Sequence, residues 1–168
     1  METTKNKTTL LIMAAGMGSR FGSLKQLALL GPHKKTLLHY SIYDAVHAGF
    51  DKIVFIIRRS FENEFKEAVG KYAESLVETV YCFQEMDQLP GNLPPIQREK
   101  PWGTAHAIWA AKDHIHEPFI AINADDFYGR DAFVKMHDFV ASNTDERCFS
   151  LAGYRLAATL SENGTVSR

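Results

Sequence analysis

The sequence predicts an α/β fold in which helices cover both faces of a mostly parallel β-sheet. Two observations predict it. Apolar segments of strand length recur along the 168 residues, and segments with apolar residues at helical spacing alternate with them. Strands that are apolar throughout are typical of a sheet buried on both faces, and their alternation with helices favours parallel pairing. We therefore expect a Rossmann-like three-layer sandwich.

Five strands are predicted from short apolar runs. Their bounds are Leu10–Ala15, Lys52–Arg58, Thr79–Gln84, Phe119–Asn123 and Cys148–Tyr154. None of these runs approaches the ~20 apolar residues that a membrane span requires. The apolar residues are therefore expected to form the interior of a water-soluble domain, and no membrane partner is expected.

Four amphipathic helices are predicted between these strands. In the first two, a hydroxyl residue is placed to cap the N-terminus and a glycine to end the helix, namely Thr36 with Gly49 and Ser60 with Gly70. The third is expected over residues 104–115. The four apolar faces are Leu38, Ile42 and Ala45; Phe61, Phe65, Ala68 and Val69; Ile108, Ala111 and Ile115; and Phe133, Met136 and Val140.

Composition and charge limit the kinds of partner. A chain of this length with 45% hydrophobic residues is long enough for one domain with a buried core and short for two. The 19 basic and 20 acidic residues nearly cancel, so no general attraction to nucleic acid is expected. Cys82 and Cys148 lie far apart and outside any metal-ligand spacing, so both are expected as buried thiols in the reducing cytoplasm. An oligomer is left open.

The turn after the first strand predicts phosphate binding. Gly16, Gly18 and Gly22 follow the strand at once, and glycine lacks the β-carbon that would keep a ligand away from backbone N–H groups. Arg20 adds a forked donor for phosphate oxygens, and Lys25 adds a flexible positive charge. The open questions are which phosphate compound binds here and whether it reacts.

Carboxylates are expected at the same edge of the sheet. Ligands of parallel sheets bind at the carboxyl ends of the strands, which brings the glycine turn, Gln84 and residues 123–126 together. Asp125 and Asp126 directly follow an apolar strand. Mg²⁺ prefers one or two carboxylates, with water and substrate phosphate in its other positions. We predict Asp125 as a Mg²⁺ ligand and hold Asp126 in reserve.

Two further segments at this edge each have two interpretations. Gly103 and Thr104 begin a predicted helix, where Thr104 is either an ordinary cap or, with the bare backbone of Gly103, part of a surface for a base or ribose. Residues 85–102 contain four of the six prolines and have no usable period. They form either a functional loop over the site or a simple insertion.

Taken in order, these segments resemble the motifs of the nucleotidyltransferase family that activates sugar phosphates. The family's AAG-x-G-x-R motif and following lysine, its G-T-A stretch, its base-contacting glutamine and its glycine-aspartate motif have these counterparts: Ala14, Ala15, Gly16, Gly18, Arg20 and Lys25; Gly103, Thr104 and Ala105; Gln84; and Ala124 with Asp125. The matches span most of the chain, although Gln84 and Gly103 are further apart than is usual in the family.

The resemblance implies a sandwich of the nucleotidyltransferase type and an Mg²⁺-dependent reaction. A nucleoside triphosphate would give its nucleoside monophosphate to a phosphorylated small molecule, a sugar 1-phosphate, and release pyrophosphate. The implied roles are Gly16, Gly18 and Arg20 on the triphosphate, Lys25 on the reacting phosphate, Asp125 on Mg²⁺, and Ala14, Ala15, Gln84, Gly103 and Thr104 on the nucleotide.

The resemblance also sets the expected domain boundaries. Residues 1–168 would be the nucleotide-binding part of a nucleotidyltransferase domain, interrupted by the long loop at 85–102. Residues 159–167 read as a β-hairpin that is cut off, so the chain is expected to be truncated. A second metal ligand and the residues that hold the acceptor are expected beyond Arg168.

Two other functions remain open at the level of the sequence. An NADP-dependent oxidoreductase would also use glycines spaced G-x-G-x-x-x-G, with Arg58 or Arg59 on the 2′-phosphate. Against it, no Tyr-x-x-x-Lys pair occurs in the sequence, and Lys25 and Asp125 would have no role. A nucleotide-binding fragment without turnover is the third possibility.

Overall fold

The computed structural model of the protein describes residues 7–16, 29–30, 32–91, 102–143, 145 and 147–159. Its strands are β1 (Thr9–Met13), β2 (Leu29–Leu30), β3 (Lys35–Thr36), β4 (Lys52–Ile57), β5 (Glu78–Phe83) and β6 (Phe119–Asn123). Four of them form one parallel sheet in the order β5-β4-β1-β6. These four agree with the predicted strands to within two residues at each end, which confirms the mostly parallel sheet.

Helices lie on both faces of this sheet. They are α1 (Leu37–Ala48), α2 (Glu62–Phe65), α3 (Lys71–Glu74), α4 (Thr104–Trp109) and α5 (Arg130–Ser142). One core joins alternate strand residues such as Leu10 and Phe55 to α1, α5 and the helical segment around Phe65. The other joins Leu11 and its neighbours to α4. The alternation of side chains along each strand therefore fills two cores, and the three-layer sandwich is confirmed.

The register of the four-stranded sheet places the carboxyl ends of its strands on one edge. Met13 pairs with Ile56 on one side and Asn123 on the other, and Ile57 pairs with Phe83. Because every pairing is parallel, the residues that follow β1, β4, β5 and β6 leave the sheet at the same edge. This edge is where the sequence predicts the ligand site.

The first helix forms as predicted. Thr36 precedes α1, and its backbone N–H donates to Nδ1 of His39 at 3.3 Å. Gly49 ends the helix in the left-handed conformation, with φ of +114°, and its N–H donates to the carbonyl oxygen of Ala45 at 3.1 Å. The apolar face predicted for this helix is fully buried against the sheet.

The second helix differs from the prediction at both ends. Ser60 lies inside a 3₁₀ turn, Arg59–Phe61, and the residue that precedes α2 is Phe61. Gly70 does not end the helix, because the chain passes through it in a right-handed π turn and continues as α3. A β-carbon at Gly70 would lie 2.2 Å from the hydroxyl of Tyr81. Glycine is needed here for close packing of helix on strand, not for termination.

The predicted fifth strand is wrong. In the described segment 147–159 there is no strand, and Phe149 and Leu151 are 90% and 96% exposed. An apolar run becomes a strand only where a neighbouring strand accepts its backbone hydrogen bonds, and no described strand pairs with this one. Cys148 is exposed for the same reason, so the buried-thiol prediction holds only for Cys82, where burial raises the pKa to about 11.

Smaller differences concern the short elements. The third helix, α4, ends at Trp109 and continues as turns to His114. The antiparallel pair of β2 and β3 was not predicted, because two residues per strand leave no periodic signal. The predicted hairpin lies almost wholly outside the described residues. In the part of the chain that the structure describes, no helix has the length and apolarity to cross a membrane.

At the opposite edge of the sheet, where the strands begin, a partly buried ion pair joins two of them. Lys52, at the start of β4, lies 3.0 Å from the carboxylate of Glu117 and donates to the carbonyl oxygen of His114 at 2.6 Å. The hydroxyl of Thr9 also donates to Glu117. Burial by itself would raise the pKa of Glu117, but the bonds from Thr9 and Lys52 and the positive charge lower it to about 2. The amino ends of β1 and β4 are joined in this way.

Candidate active site

The end of β1 is formed by two small buried residues and an exposed glycine. The side chain of Ala14 packs in the core under α1, and that of Ala15 packs in the core under α4. The N–H of Ala14 donates to the carbonyl oxygen of Ile56 at 2.8 Å, which keeps this residue on the sheet. Gly16 is exposed. Since both alanine side chains are enclosed, these residues can meet a ligand only through their backbone.

The charged part of the predicted turn is not covered by the structure. Gly18, Arg20, Gly22 and Lys25 lie outside the described residues, so their assignment to phosphate binding stays a prediction. The described residues do establish where that turn starts, which is the carboxyl edge of the sheet between β4 and β6.

Asp125 lies beside the end of β1. The N–H of Ala124 donates to the carbonyl oxygen of Met13 at 3.1 Å, which ties the end of β6 to the end of β1. Asp125 is exposed, and its carboxylate has no hydrogen bond or ion pair with another described residue. Asp126 is half-buried and accepts a hydrogen bond from the Asn123 side chain at 3.0 Å. Of the two aspartates, Asp125 has the carboxylate that is free to bind a ligand.

The single free carboxylate of Asp125 is enough to be the protein's ligand to Mg²⁺. Among the described residues there is no group of three or more histidines, cysteines, aspartates or glutamates that could hold a metal ion. Mg²⁺ does not need such a cage, since it keeps several waters and binds one or two carboxylates together with substrate phosphates. A single exposed carboxylate beside the start of the predicted phosphate-binding turn fits this kind of site.

A tyrosine that the sequence analysis missed closes the turn that carries Asp125. The hydroxyl of Tyr128 accepts a hydrogen bond from the backbone N–H of Asn123 at 2.9 Å. Its carbonyl oxygen in turn accepts one from the hydroxyl of Tyr154, also at 2.9 Å. Burial raises the pKa of Tyr128, so the ring stays neutral. These bonds fix the loop between β6 and α5.

Gln84 and Gly103 are neighbours in space despite the long loop between them. The backbone N–H of Gln84 donates to Ile57 at 3.1 Å, which holds the residue at the end of β5. Its side-chain amide donates to the carbonyl oxygen of Trp102 at 2.9 Å. The unusual separation along the sequence therefore does not separate the counterpart of the base-contacting glutamine from the G-T-A stretch.

Gly103, not Thr104, occupies the capping position of α4. The carbonyl oxygen of Gly103 accepts hydrogen bonds from His106 and Ala107 at 3.1 and 3.2 Å, while Thr104 is the first helical residue and is exposed. The interpretation of Thr104 as an ordinary cap is therefore wrong. A β-carbon built on Gly103 would meet nothing within 4 Å, so open space lies in front of this backbone.

His106 is the second residue that the sequence analysis missed. Its ring lies between those of Trp102 and Trp109, with centroid distances of 6.0 and 5.6 Å. Its Nδ1 faces the Gln84 amide at 3.2 Å, and its Nε2 lies 2.5 Å from the carbonyl oxygen of Gln88. The available signal was its position in the first turn of a helix that starts at the ligand edge.

The described ends of the long loop pack onto this cluster. The indole N–H of Trp102 donates to the carbonyl oxygen of Met86 at 3.0 Å. The carbonyl oxygen of Gln88 is the group that lies against Nε2 of His106. Residues 92–101 lie outside the described part. The two ends are therefore part of the wall of the candidate site, which favours the functional interpretation of the loop over the simple insertion.

The two arginines that the oxidoreductase hypothesis needs have other contacts. The guanidinium of Arg59 lies 4.0 Å from the centre of the Phe83 ring, and its Nε is 3.3 Å from a carboxylate oxygen of Glu85. The guanidinium of Arg58 lies over the ring of Phe61, and its Nε is buried without a partner. Neither arrangement resembles an open receptor for a 2′-phosphate.

Comparison with known proteins agrees with the geometry. A sequence model of the family described as nucleotidyl transferase matches residues 9–166. The chain is 28% identical to the UTP–glucose-1-phosphate uridylyltransferase of Bacillus subtilis (strain 168), over 69% of this chain and 43% of that protein. It is 30% identical to the bifunctional protein GlmU of Staphylococcus haemolyticus (strain JCSC1435), over 64% and 19%.

Solved structures share the fold. A UDP-glucose pyrophosphorylase in complex with UDP-glucose superposes with a TM-score of 0.53 at 22% identity, over 79% of this chain and 52% of that one. A putative glucose-1-phosphate thymidylyltransferase from Bacillus anthracis superposes with a TM-score of 0.58 at 18% identity, over 79% and 50%. The oxidoreductase hypothesis is not favoured by these matches.

The chain spans less than half of the length of both curated relatives and about half of both solved structures. Because the family's sequence model covers residues 9–166, the protein belongs to the nucleotidyl transferase family.

Proposed function

We propose that this protein transfers a nucleoside monophosphate from a nucleoside triphosphate to a phosphorylated acceptor, a sugar 1-phosphate, with release of pyrophosphate. One observation carries the proposal. The cluster of Gln84, Trp102 and Gly103 and the free carboxylate of Asp125 follow the two outer strands of the described parallel sheet, at the edge where the turn after β1 begins. A base-binding surface and a carboxylate then flank a phosphate-binding turn.

The chemistry requires little of the protein beyond placement and charge. The second pKa of a phosphate monoester is about 6, so the attacking phosphate is already ionised at neutral pH and needs no general base. Its oxygen attacks the α-phosphorus of the triphosphate, a new P–O bond forms, and the bond to pyrophosphate breaks. The demands that remain are alignment of the two phosphates and stabilisation of the charge on the leaving group.

The predicted residues divide these tasks. The backbone of Ala14, Ala15, Gly16 and Gly18 holds the triphosphate, and Arg20 stabilises the departing pyrophosphate. Lys25 neutralises the α-phosphate or the incoming phosphate. Gln84, Gly103 and Thr104 contact the nucleoside. Asp125 would hold Mg²⁺, which when bound shields the negative charge of the phosphate oxygens.

The names of the similar proteins support the choice of acceptor. Two of them act on glucose 1-phosphate by name, one with UTP and one as a putative thymidylyltransferase. A further solved structure of the same fold is an inositol-1-phosphate CTP transferase. The base therefore differs among proteins of this fold, and a sugar 1-phosphate is the acceptor that we propose. We place the reaction in the cytoplasm, where reducing conditions suit free thiols such as Cys82.

A pyrophosphate-release screen tests the proposal. The chain is incubated with Mg²⁺, each of five nucleoside triphosphates and a panel of sugar and alcohol phosphates. We expect release with at least one pair that contains a sugar 1-phosphate, and none after chelation of the metal. Absence of release with every pair, in a chain that still binds a nucleoside triphosphate, would contradict the transfer reaction.

That last outcome defines the second candidate function, a nucleotide-binding protein without turnover. The observation that favours it is coverage, because the chain spans about half of the solved structures that it resembles. Calorimetric titration with nucleoside triphosphates and with NADP separates the remaining cases. Binding of a triphosphate without release of pyrophosphate supports this second function, and binding of NADP alone contradicts both.

A further inference from the structure

The carboxamide of Gln84 has both of its N–H donors committed to the protein. Its Nε2 lies 2.9 Å from the carbonyl oxygen of Trp102 and 3.2 Å from Nδ1 of His106. A carbonyl oxygen can only accept a hydrogen bond, so the atom beside it must be the NH₂ group and not the oxygen of the carboxamide. The orientation of the Gln84 side chain is therefore determined by its partners.

The imidazole of His106 is determined by the same reasoning. Its Nε2 lies 2.5 Å from the carbonyl oxygen of Gln88, which again can only accept, so Nε2 carries a hydrogen. A neutral ring with a hydrogen on Nε2 has a lone pair on Nδ1. That lone pair accepts the second N–H of Gln84. The two assignments, made from different carbonyl groups, agree with each other.

The oxygen Oε1 is the one atom of the Gln84 carboxamide that remains available to accept a hydrogen bond from a ligand. No described residue donates to it, and the buried unpartnered side-chain atoms of the described residues belong to Arg58 and His137, so this oxygen is not sealed from solvent. It belongs to a residue whose amide is bonded to Trp102, directly before Gly103 and its open space. This corner of the candidate site thus offers a ligand an acceptor and no donor from Gln84.

We propose that His106 is a positioning residue that holds the Gln84 carboxamide with Oε1 toward the base of a bound nucleoside triphosphate. This inference rests on the proposed function, because it needs a nucleotide at this edge of the sheet. In this proposal Oε1 faces ring N3 of the base. There uracil has an N–H that donates to Oε1, whereas cytosine has a lone pair that Oε1 repels. His106 therefore contributes to base selection without touching the base.

Calorimetric titration with UTP and CTP tests the inference, because these nucleotides differ only at ring N3 and at the C4 substituent. We expect the chain to bind UTP about three- to tenfold more tightly than CTP, the range that one neutral hydrogen bond gives. The variant His106→Phe keeps a ring between the two tryptophans but removes the lone pair, so we expect the preference to vanish. His106→Asn keeps an acceptor at the position of Nδ1 and should keep the preference.

A double-mutant cycle separates positioning from a general loss of structure. Gln84→Ala should abolish the preference, and adding His106→Phe to it should change the ratio of UTP to CTP affinity no further. If His106 had only a structural role, His106→Phe would weaken the binding of UTP and CTP equally and leave the ratio of the two affinities unchanged. If His106→Phe does not fold, ¹⁵N chemical shifts of the unaltered chain decide, since a hydrogen on Nδ1 of His106 would overturn the proposal.

The failures are distinguishable. A chain that binds none of the five nucleoside triphosphates contradicts the proposed function and this inference together, whereas a chain that binds another of them but neither UTP nor CTP contradicts this inference alone. A chain that binds UTP and CTP equally well, or that keeps its preference in His106→Phe, contradicts the inference alone and leaves the transfer reaction standing.

Discussion

The β-carbon that Gly49 lacks would lie 2.9 Å from two atoms of the His137 imidazole. Gly49 ends α1 with φ of +114°, and His137 lies on α5, where it is buried and forms an edge contact with the ring of Phe50 at 5.2 Å. Helices α1 and α5, which lie on the same face of the sheet, thus meet at a glycine and a histidine. Both the backbone conformation and the packing require the absence of a side chain at residue 49.

Gly49→Ala should destabilise the fold by about 2–4 kcal/mol, since the left-handed backbone and the close ring each add a cost. Urea unfolding followed by circular dichroism measures it. The matched control is Gly103→Ala, where the backbone is extended and the added carbon meets nothing. Equal stability of the two variants would show that α1 and α5 do not pack through this pair.

Gly70→Ala should also destabilise the protein, although alanine is normally the better helix former by roughly 1 kcal/mol. The reason is the hydroxyl of Tyr81, which lies 2.2 Å from the site of the new carbon. Removing that hydroxyl in Tyr81→Phe should make room. We expect the cost of Gly70→Ala to fall by about 1–2 kcal/mol in the Tyr81→Phe background, which a double-mutant cycle measures. A cost that is the same in both backgrounds would exclude this clash.

Stability should decrease in acid through Glu117. Its pKa is lowered from 4.5 in the unfolded chain to about 2 in the folded protein, so the folded state binds this proton more weakly. The contribution is complete above pH 4.5 and is lost as the pH falls toward 2, roughly 3 kcal/mol in all. Urea unfolding at a series of pH values measures it. In Glu117→Gln this part of the slope should disappear; a slope that persists would assign the acid sensitivity to other carboxylates.

Gly103→Ala should weaken nucleotide binding by about tenfold and lower the melting temperature only slightly, because alanine is a poorer helix cap than glycine. The new methyl group occupies the open space in front of α4, where we place the nucleoside, and it strains no bond of the protein. Calorimetric titration with the preferred nucleoside triphosphate measures the affinity. Unchanged binding would place the nucleoside elsewhere on this edge.

Asp125→Asn should reduce pyrophosphate release by about a hundredfold or more, because a neutral amide is a poor ligand for a hard cation and several kcal/mol of charge stabilisation are lost. Asp126→Asn is the matched control. The carboxylate of Asp126 accepts a hydrogen bond from Asn123. We expect Asp126→Asn to reduce activity less than Asp125→Asn does. The assignment would be reversed if the Asp126 variant were the inactive one, and both variants should retain the fold by circular dichroism.

The sequence alone predicted much of this protein. The strands β1, β4, β5 and β6 were visible because each is apolar over its length, and the ends of α1 were visible because Thr36 and Gly49 act through local backbone geometry. Parallel pairing then followed from the alternation of elements. Parallel pairing also predicted that Gln84 and Asp125 lie at the same edge of the sheet, because the carboxyl ends of parallel strands are on the same side.

Only the tertiary structure decided the matters that depend on neighbours distant in sequence. The need for glycine at residue 70 depends on the hydroxyl of Tyr81, which packs against it. The segment Cys148–Tyr154 has a strand-like composition, but no strand pairs with it in the described residues. The bonds of His106 to Gln84 and Gln88 cross a loop that has no period. Sequence patterns report which faces of an element are apolar, whereas which groups meet at the ends of those elements depends on how the chain packs.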